Sequence, residues 1–294
     1  MPLPRIPLSH LVGPPDPERR IRLMEVVRQR LRERRYSART EEAYVFWIRR
    51  YVIYNERRHP RDLDVAEIRR FLSHLATEEH VAASTQNQAL AALRFLYGVV
   101  LQRPFDQVEG IAPAHRSRRV PVVLSQREIR ALFGRLSGVQ RLCAELMYGS
   151  GLRVTECVSL RVKDVDLDRG EIVVRDGKGG KDRRTPLAER AAGPLRRWLK
   201  QRERLHTADR RASVSTTGLG EALERKYPNA ARDWAWSYVF PAARTSRDEQ
   251  GIRRRHHLHE TVLQRSIRDA ALAGGFAKRV TGHSLRHSFA THLL

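Results

Sequence analysis

A basic, proline-bracketed segment divides the chain into two parts with different sequence patterns. The segment "EGIAPAHRSRRVPVV" has no helical period, and Pro113 and Pro121 enclose its arginines. Before it, apolar residues recur at helical spacing; after it, helical segments flank a stretch of alternating β-branched residues. Because 294 residues exceed the usual size of one domain, we predict two domains, with residues 109–123 as a basic linker.

The first part predicts a bundle of four helices. The first helix runs from Glu18 to about Arg34, and the other three carry apolar residues at i, i+3, i+4 and i+7 or closely similar spacing. These residues are Tyr44, Trp47, Ile48 and Tyr51, then Val65, Ile68, Leu72 and Leu75, then Leu90, Leu93, Tyr97 and Val100. We assign residues 18–108 to a helical domain and the proline-rich residues 1–17 to a disordered leader.

The second part, residues 124–294, predicts a mixed domain. Ser125 and Glu128 form a capping box that starts its first helix, and helices continue to Leu160. The stretch "RVKDVDLDRGEIVVRDGKGGKDRRTPL" then alternates β-branched residues between two glycine-containing turns, which predicts a three-stranded antiparallel sheet. The fold class is therefore mainly α with a small antiparallel β-sheet.

The sequence after this sheet predicts two further helices separated by a long irregular region. One helix runs from Ala188 to about Arg204, and the other begins near Glu260. The region between them is rich in arginine and aromatic residues and has no sustained period. We therefore expect an insertion there, over about residues 206–260.

The charge of the chain predicts a nucleic-acid partner. Lys and Arg total 56 against 33 Asp and Glu, which gives a formal net charge of +23. A GC-rich coding bias would explain the preference for Arg over Lys, but it would not explain the excess of basic over acidic residues. Arginine is suited to bidentate phosphate contacts, and we predict DNA contacts for the linker residues Arg116, Arg118 and Arg119.

The two cysteines and the apolar runs predict a cytoplasmic protein with no membrane partner. Cys143 and Cys157 lack the neighbouring histidines of a zinc site, and we expect buried thiols in a reducing compartment. No apolar run approaches membrane-spanning length, and the start has no signal-peptide core.

Five residues in three separate segments have the chemistry of a phosphodiester site. Arg153 and Glu156 lie in "GSGLRVTE", Lys178 in "DGKGGKDR", and His283 and Arg286 in "HSLRH". Each is commonplace by itself, as an exposed ion pair or a soluble turn. Together, two arginines can hold the charge that develops on a phosphate, a lysine can protonate a departing 5′ oxygen, and a histidine can exchange a proton with the nucleophile. This chemistry needs neither metal nor cofactor.

These motifs resemble the tyrosine recombinases. "GLRVTE", "GKGGKDR" and "HSLRHSFATHLL" occur in the family's order, and the resemblance covers about residues 18–294. It implies a helical, SAM-like core-binding domain and an α+β catalytic domain, acting as a homotetramer on double-stranded attachment sites. It also implies that Arg153 and Arg286 bind the scissile phosphate, that Lys178 is the leaving-group acid, that His283 assists proton transfer and that Glu156 supports them.

The predicted insertion is similar to the extra element of integron integrases. Its segments are "ALERKYPNAARDWAWSYVFP" and "RRRHHLHETVLQ". In that subfamily the element recognises bases that protrude from a folded single-stranded cassette hairpin, and exposed bases offer faces for stacking. We predict such contacts for Trp236, His256 and His257, whereas a place in the core is favoured for Trp234.

Other motifs are not supported by their spacing. Leu263 stands where a zincin following His259 and Glu260 would need its second histidine, and Lys178 is followed by Gly179 rather than by the Ser or Thr of a P-loop. The histidines at 256, 257 and 259 lie among arginines, which disfavour a dication. We therefore expect neither a metal nor a cofactor.

The nucleophilic tyrosine that the resemblance implies is not in its expected place. In the family it follows the His-x-x-Arg helix, whereas the last tyrosine of this sequence is Tyr238. We expect either a C-terminally truncated integron integrase, whose intact form exchanges DNA strands through a 3′-phosphotyrosine, or a cleavage-dead protein that occupies recombination sites. The insertion disfavours a third possibility, a chromosome-dimer or phage recombinase.

Overall fold

The computed structural model describes residues 17–103, 112–115, 120–175, 177, 181–216, 219, 221–248 and 250–293. The chain divides into two compact units, Met1–Arg119 and Val120–Leu294. The leader up to residue 16 and four predicted functional residues lie outside the described ranges. These four residues are Arg116, Arg118, Arg119 and Lys178.

The first unit contains the predicted helices. They are α1 (Pro17–Glu33), α2 (Ala38–Tyr54), α3 (Val65–Thr77) and α4 (Ala83–Phe95), with a 3-10 turn at Pro60–Asp62. Polar side chains cap the starts of α2 and α3. Asp64 accepts a hydrogen bond from the Ala66 N–H at 2.7 Å, and Glu67 accepts one from the Asp64 N–H at 2.9 Å. Of the two aspartates before α3, Asp64 is therefore the one that caps it.

The apolar faces predicted for α2, α3 and α4 meet in the core of this unit. Trp47, Ile48 and Leu93 are completely buried, and Phe71 from α3 is 1% exposed. The hydroxyls of the buried Tyr51 and of Tyr97, which follows α4, are 2.9 Å apart and hydrogen-bonded. The helical period predicted this core because it assigned the same faces.

The fourth helix differs from the prediction of one continuous α-helix. After α4 the chain forms a π-helical turn at Leu96–Val100. The Leu101 N–H donates to the carbonyl of Leu96, five residues earlier, at 2.9 Å. The wider turn still places Tyr97 in the core, where its hydroxyl finds the Tyr51 partner.

Part of the predicted linker is attached to the first unit. The Asn87 side-chain amide donates to the Ala114 carbonyl at 2.9 Å, and the Ala114 N–H donates back to Asn87 Oδ1 at 2.7 Å. This pair of hydrogen bonds fixes residues 112–115 beside α4.

The second unit is helical with two small sheets in its described part. Its helices are α5 (Gln126–Gly134), α6 (Gly138–Gly149), α7 (Val154–Val158), α8 (Glu189–Arg211), α9 (Glu221–Lys226), α10 (Glu260–Ala273) and α11 (Gly282–His292). Its strands are β1 (Val165–Asp166), β2 (Glu171–Val174), β3 (Arg183–Pro186), β4 (Ser215–Thr216), β5 (Ser246–Arg247) and β6 (Arg253–Arg255). The mainly α fold with a small antiparallel sheet is therefore confirmed.

The first sheet has the predicted antiparallel order β1-β2-β3. Val165 pairs with Ile172, and Val174 pairs with Arg183 at the end nearer the Gly-rich turn. The predicted capping box of α5 is also present: the Ser125 N–H donates to Glu128 Oε2 at 2.7 Å. The predicted burial of Cys143 and Cys157 is confirmed, and neither cysteine forms a disulfide.

The prediction of a long irregular region before α10 is wrong in three respects, the first being the short helix α9 within it. Helix α8 continues to Arg211 instead of ending near Arg204. A second sheet of order β4-β6-β5 follows, in which β4 pairs parallel with β6 and β5 pairs antiparallel with it. Its strands have two or three residues, mostly serine and arginine, so no apolar alternation marks them in the sequence.

Candidate functional site

The turn before α7 is shaped by glycine and packs under α11. Gly151 has a φ of +61°, a conformation that an L side chain rarely adopts, and a Cβ there would lie 2.6 Å from the Phe289 ring. Only a glycine therefore lets Phe289 pack directly against the turn. The sequence "GSGLR" thus places Arg153 at the start of α7, beneath α11.

A second close approach joins the start of α11 to the start of α7. A Cβ on Gly282 would lie 2.3 Å from Cγ2 of Val154 and 2.8 Å from the Met147 methyl group. Gly282 precedes His283, and Val154 follows Arg153, so the two predicted functional segments meet at this contact. His283 itself is exposed.

Arg153 and Arg286 meet at the carboxylate of Glu156. Nη1 of Arg153 donates to Glu156 Oε1 at 2.6 Å, and the Arg153 backbone N–H donates to Oε2 at 2.7 Å. Nη1 of Arg286 lies 3.7 Å from Oε2 and donates a short hydrogen bond to the Gly151 carbonyl. The side chains of Arg153 and Arg286 remain 30% and 32% exposed. The structure therefore brings together two arginines that are far apart in the sequence.

A third arginine, Arg183 at the start of β3, contacts the same carboxylate. Its Nη1 donates to Glu156 Oε1 at 2.9 Å, and its Nη2 donates to Oε2 at 2.7 Å. Gly177 lies beside this pair: a Cβ on it would be 3.2 Å from Arg183 Nη1 and 3.9 Å from Glu156 Oε1. Gly177 is the residue before Lys178, so the chain enters the Gly-rich turn next to Glu156.

Among the described residues, this cluster has more positive than negative charge, which favours binding of an anion. Burial acts to raise the pKa of Glu156, but hydrogen bonds from Arg183 and from the backbone and side chain of Arg153 lower it to about 2. The carboxylate is thus ionised at neutral pH, with three guanidinium groups around it. Burial, and then the positive charge of Arg153, lower the pKa of Arg286. One carboxylate cannot neutralise three cations, and a bound anion would relieve their repulsion.

A second cluster surrounds Trp236, on the 3-10 turn Trp234–Trp236. The ammonium of Lys163 lies 2.8 Å from the centre of the Trp236 ring, and the Arg161 guanidinium lies 5.8 Å from it. Nη1 of Arg161 also donates to the Trp236 carbonyl at 2.5 Å. Trp236 is half-buried. This indole is therefore held among cations at the surface and not enclosed in the core.

The predicted histidine pair lies next to Tyr238 in the same region. The rings of His256 and His257 are 4.1 Å apart, and they lie 5.7 and 5.2 Å from the Tyr238 ring. His256 is exposed, and His257 is half-buried. Burial lowers the pKa of His257, so at neutral pH this ring is uncharged and able to stack.

Trp234, for which a core position was favoured, is half-buried. Its ring lies 5.5 Å from His206 and 5.8 Å from the guanidinium of Arg202. The core position favoured for Trp234 is therefore met only in part.

A groove in the second unit lies apart from the arginine cluster. This groove of about 700 Å³ between α5, α6 and α8 is lined by residues such as Phe133, Tyr148 and Ala188, and not by Arg153 or Arg286. Within the described ranges, no three His, Cys, Asp or Glu residues are placed to hold a metal ion. The same part of the chain contains no helix that is both long and apolar enough to span a membrane. The arginine cluster is an open, charged surface.

Sequence reasoning missed Arg183, although "GKGGKDR" was recognised. In a strand, alternate residues face opposite sides, so Arg183 and Thr185 share one face and Arg184 lies on the other. Thr185 Oγ1 donates to the Ser150 carbonyl at 2.7 Å, whereas Arg184 is exposed and pairs with Glu171. The alternation of side chains along a strand could have identified it, because of two consecutive arginines only one can face inwards.

Comparison with known families accounts for both units. Residues 23–107 match the family described as "Phage integrase, N-terminal SAM-like domain", and residues 123–294 match the "Phage integrase family". The chain belongs to the phage integrase family, whose members are the tyrosine recombinases, the enzymes of site-specific DNA recombination.

Several curated proteins are similar over most of their length. An "Integrase/recombinase" of Escherichia coli is 44% identical over 283 residues, which is 96% of this chain and 84% of the relative. An "Integrase/recombinase" of Pseudomonas aeruginosa has the same identity of 44% and the same coverage of 96% and 84%. "Tyrosine recombinase XerA" of Thermococcus kodakarensis is 31% identical over 261 residues, covering 88% of this chain and 76% of the relative.

Solved structures of the same fold include complexes with DNA. The Tn1549 transposon integrase in complex with transposon right end DNA has a TM-score of 0.61 at 15% identity, covering 92% of this chain and 86% of that one. A lambda integrase tetramer bound to a Holliday junction has a TM-score of 0.57 at 16% identity, covering 92% and 68%. At such identities the likeness concerns the fold alone.

Proposed function

We propose that this chain binds recombination sites in DNA and activates one phosphodiester in each for strand exchange. The proposal rests on the meeting of Arg153 and Arg286 at Glu156, with the two arginine side chains 30% and 32% exposed. Two arginine forks held this way can bind the non-bridging oxygens of one phosphate and stabilise the charge that develops there.

The other motif residues complete the proposed chemistry. A tyrosine oxygen attacks phosphorus, a P–O bond to tyrosine forms, and the bond to the 5′ oxygen breaks. Lys178, next to Gly177 beside the cluster, gives its proton to the departing 5′ oxygen. His283, next to Gly282 at the α7 contact, exchanges the proton of the nucleophile. The reverse sequence joins the 3′ phosphate to another 5′ hydroxyl, which exchanges strands.

None of the tyrosines in the sequence is proposed as this nucleophile. Five lie in the first unit, and in the second unit Tyr148 is hydrogen-bonded to Nδ1 of His292 at 2.8 Å while Tyr238 is 5% exposed. The eight tyrosines are Tyr36, Tyr44, Tyr51, Tyr54, Tyr97, Tyr148, Tyr227 and Tyr238. All precede the His-x-x-Arg helix, whereas the family's nucleophile follows it.

We assign the recombinase to the integron type because of the Trp236 region. Integrases of that type receive cassettes as folded single strands with protruding bases. Lys163 covers one face of the half-buried Trp236 ring and the Tyr227 ring lies 6.1 Å from it, so a base would stack on the part of the indole that stays exposed. His256 and His257 present further ring surface beside Tyr238.

The proposed partners are double-stranded attachment sites, folded cassette hairpins and further copies of the chain. The net charge of +23 favours a polyanion, and arginines of the linker, Arg116, Arg118 and Arg119, are proposed to contact its backbone. A tetramer on DNA is proposed because strand exchange joins two sites with two strands each, and the related lambda integrase is a tetramer on a Holliday junction.

The proposal is tested by asking whether one phosphate in the bound site matters more than the others. Duplexes that bind are first selected from a random pool, and each phosphate of the preferred site is then replaced in turn by an uncharged methylphosphonate. We expect one replacement in each half-site to weaken binding about 10–100-fold, because it removes charge-assisted hydrogen bonds to two arginines. The variants R153A and R286A should lose this sensitivity. Equal sensitivity at all contacted phosphates would contradict the proposal.

A further inference from the structure

We propose that Arg183 is a positioning residue of the phosphate site, acting through Glu156. This inference rests on the proposed function. Arg183 holds both carboxylate oxygens, at 2.9 and 2.7 Å, in a bidentate pair. Such a pair fixes the plane of the carboxylate as well as its place, which a single hydrogen bond does not.

The first consequence concerns Arg153 and Arg286. Glu156 is 9% exposed and is the acidic partner that these two arginines share. Without Arg183, only Arg153 would still hold the carboxylate, which could then turn towards Arg286 and close the 3.7 Å separation from its guanidinium group. Held by Arg183, it takes one N–H of the Arg153 guanidinium at 2.6 Å and stays 3.7 Å from Arg286. The remaining donors are then oriented for a phosphate.

The second consequence concerns the Gly-rich turn. Arg183 begins β3, and its partner across the sheet is Val174, so the ion pair with Glu156 attaches the turn end of the β2–β3 hairpin to α7. The Gly177 N–H donates to the Lys181 carbonyl at 3.1 Å, which closes the base of the turn. The attachment therefore sets where the chain enters the segment that carries Lys178.

The strand supplies a matched control. Arg184 is the next residue, has the same side chain and lies on the opposite face, where it pairs with Glu171 at 3.1 Å and is 66% exposed. Replacing either arginine removes one positive charge from the same strand. Only the replacement of Arg183 removes the bidentate contact with Glu156.

The experiment compares R183A, R183K and R184A in the full chain, using the selected duplex and its methylphosphonate derivatives. In the wild-type protein, the sensitive methylphosphonate should lower the affinity for DNA. We expect this loss of affinity to be at least about fivefold smaller in R183A and in R183K, since lysine keeps the charge but cannot form the bidentate pair. R184A should retain the wild-type loss. R183K keeps the experiment informative if R183A does not fold, and thermal unfolding identifies folded variants.

A double-variant cycle with E156Q separates positioning from general stability. If Arg183 acts through Glu156, adding R183A to E156Q should leave the methylphosphonate effect on affinity as it is in E156Q alone. Wild-type sensitivity in R183A, or full rescue by R183K, would overturn the inference while leaving the phosphate site intact. Absence of a sensitive phosphate in the wild-type protein would instead refute the proposed function.

Discussion

Gly282 lies so close to Val154 that a Cβ atom on it would be 2.3 Å from the Cγ2 methyl group. This contact joins the first residue of α11 to the first residue of α7. His283 follows one partner, and Arg153 precedes the other. The spacing of the two helices at this contact therefore sets the distance between the histidine and arginine motifs.

Substitution of Gly282 by alanine should destabilise the second unit. Alanine suits a helix better than glycine, but its Cβ would overlap Val154, and overpacking costs about 1–3 kcal/mol. G134A is the control, because nothing lies within 4 Å of a Cβ on this residue at the end of α5. Urea unfolding should show a lower free energy of unfolding for G282A alone, and V154A should partly restore it. Equal stability of G282A and G134A would contradict this packing.

The ionisation of Glu156 should make stability depend on pH. Its pKa of about 2 in the folded chain lies below the ordinary value of 4.5, so the carboxylate stabilises the fold fully above about pH 4.5 and loses this effect as the pH falls towards 2. The lowering corresponds to at most about 3 kcal/mol. The free energy of unfolding of the wild type should exceed that of E156Q at pH 7, and the difference should shrink steadily below pH 4.5. A difference that stays constant down to pH 3 would assign the effect to packing.

Trp236 and Trp234 should differ in their importance for unpaired bases. W236A should weaken binding of a folded strand with protruding bases more than binding of a plain duplex, by about 1–3 kcal/mol for one stacked base. W234A is the matched control, since Trp234 packs against His206 and the Arg202 guanidinium. Fluorescence anisotropy with both DNA forms measures the four affinities. Equal losses on the two forms in W236A would exclude base stacking.

The salt dependence of DNA binding should show whether Arg153 and Arg286 bind the same phosphate. Each phosphate contact adds about 0.9 to the slope of log affinity against log salt concentration for duplex DNA. Because Arg153 and Arg286 are proposed to hold the same phosphate, R153A, R286A and the double variant should each lower the slope by about 1 and not add. Slopes that fall by about 2 in the double variant would indicate two separate phosphates.

Much of the first unit was predictable because its helices have one apolar face each. Trp47, Ile48 and Tyr51 recur at the helical period and are all buried, and Asp64 marks the start of α3. The π-helical turn at Leu96–Val100 was not predictable, because it keeps the same residues in the core and changes only the backbone.

In the second unit, the sequence predicted elements with strong local signals and missed those without them. The capping box at Ser125 and the alternation along β2 were visible in the sequence. The sheet formed by β4, β5 and β6 was not, since its strands are short and polar and β4 pairs with a strand distant in the sequence. Arg183 was missed because its role depends on Glu156, which lies in another motif.

Arg153 and Arg286 are proposed to activate one DNA phosphate together. The most direct test fuses the chain to a C-terminal segment of a tyrosine recombinase that carries the nucleophile, and measures the covalent protein–DNA complex on a nicked copy of the selected site. We predict a covalent complex for the wild-type fusion, its loss in R153A and in R286A with DNA binding retained, and normal formation in R184A. Covalent complex formed at the wild-type rate by either arginine variant would contradict the account.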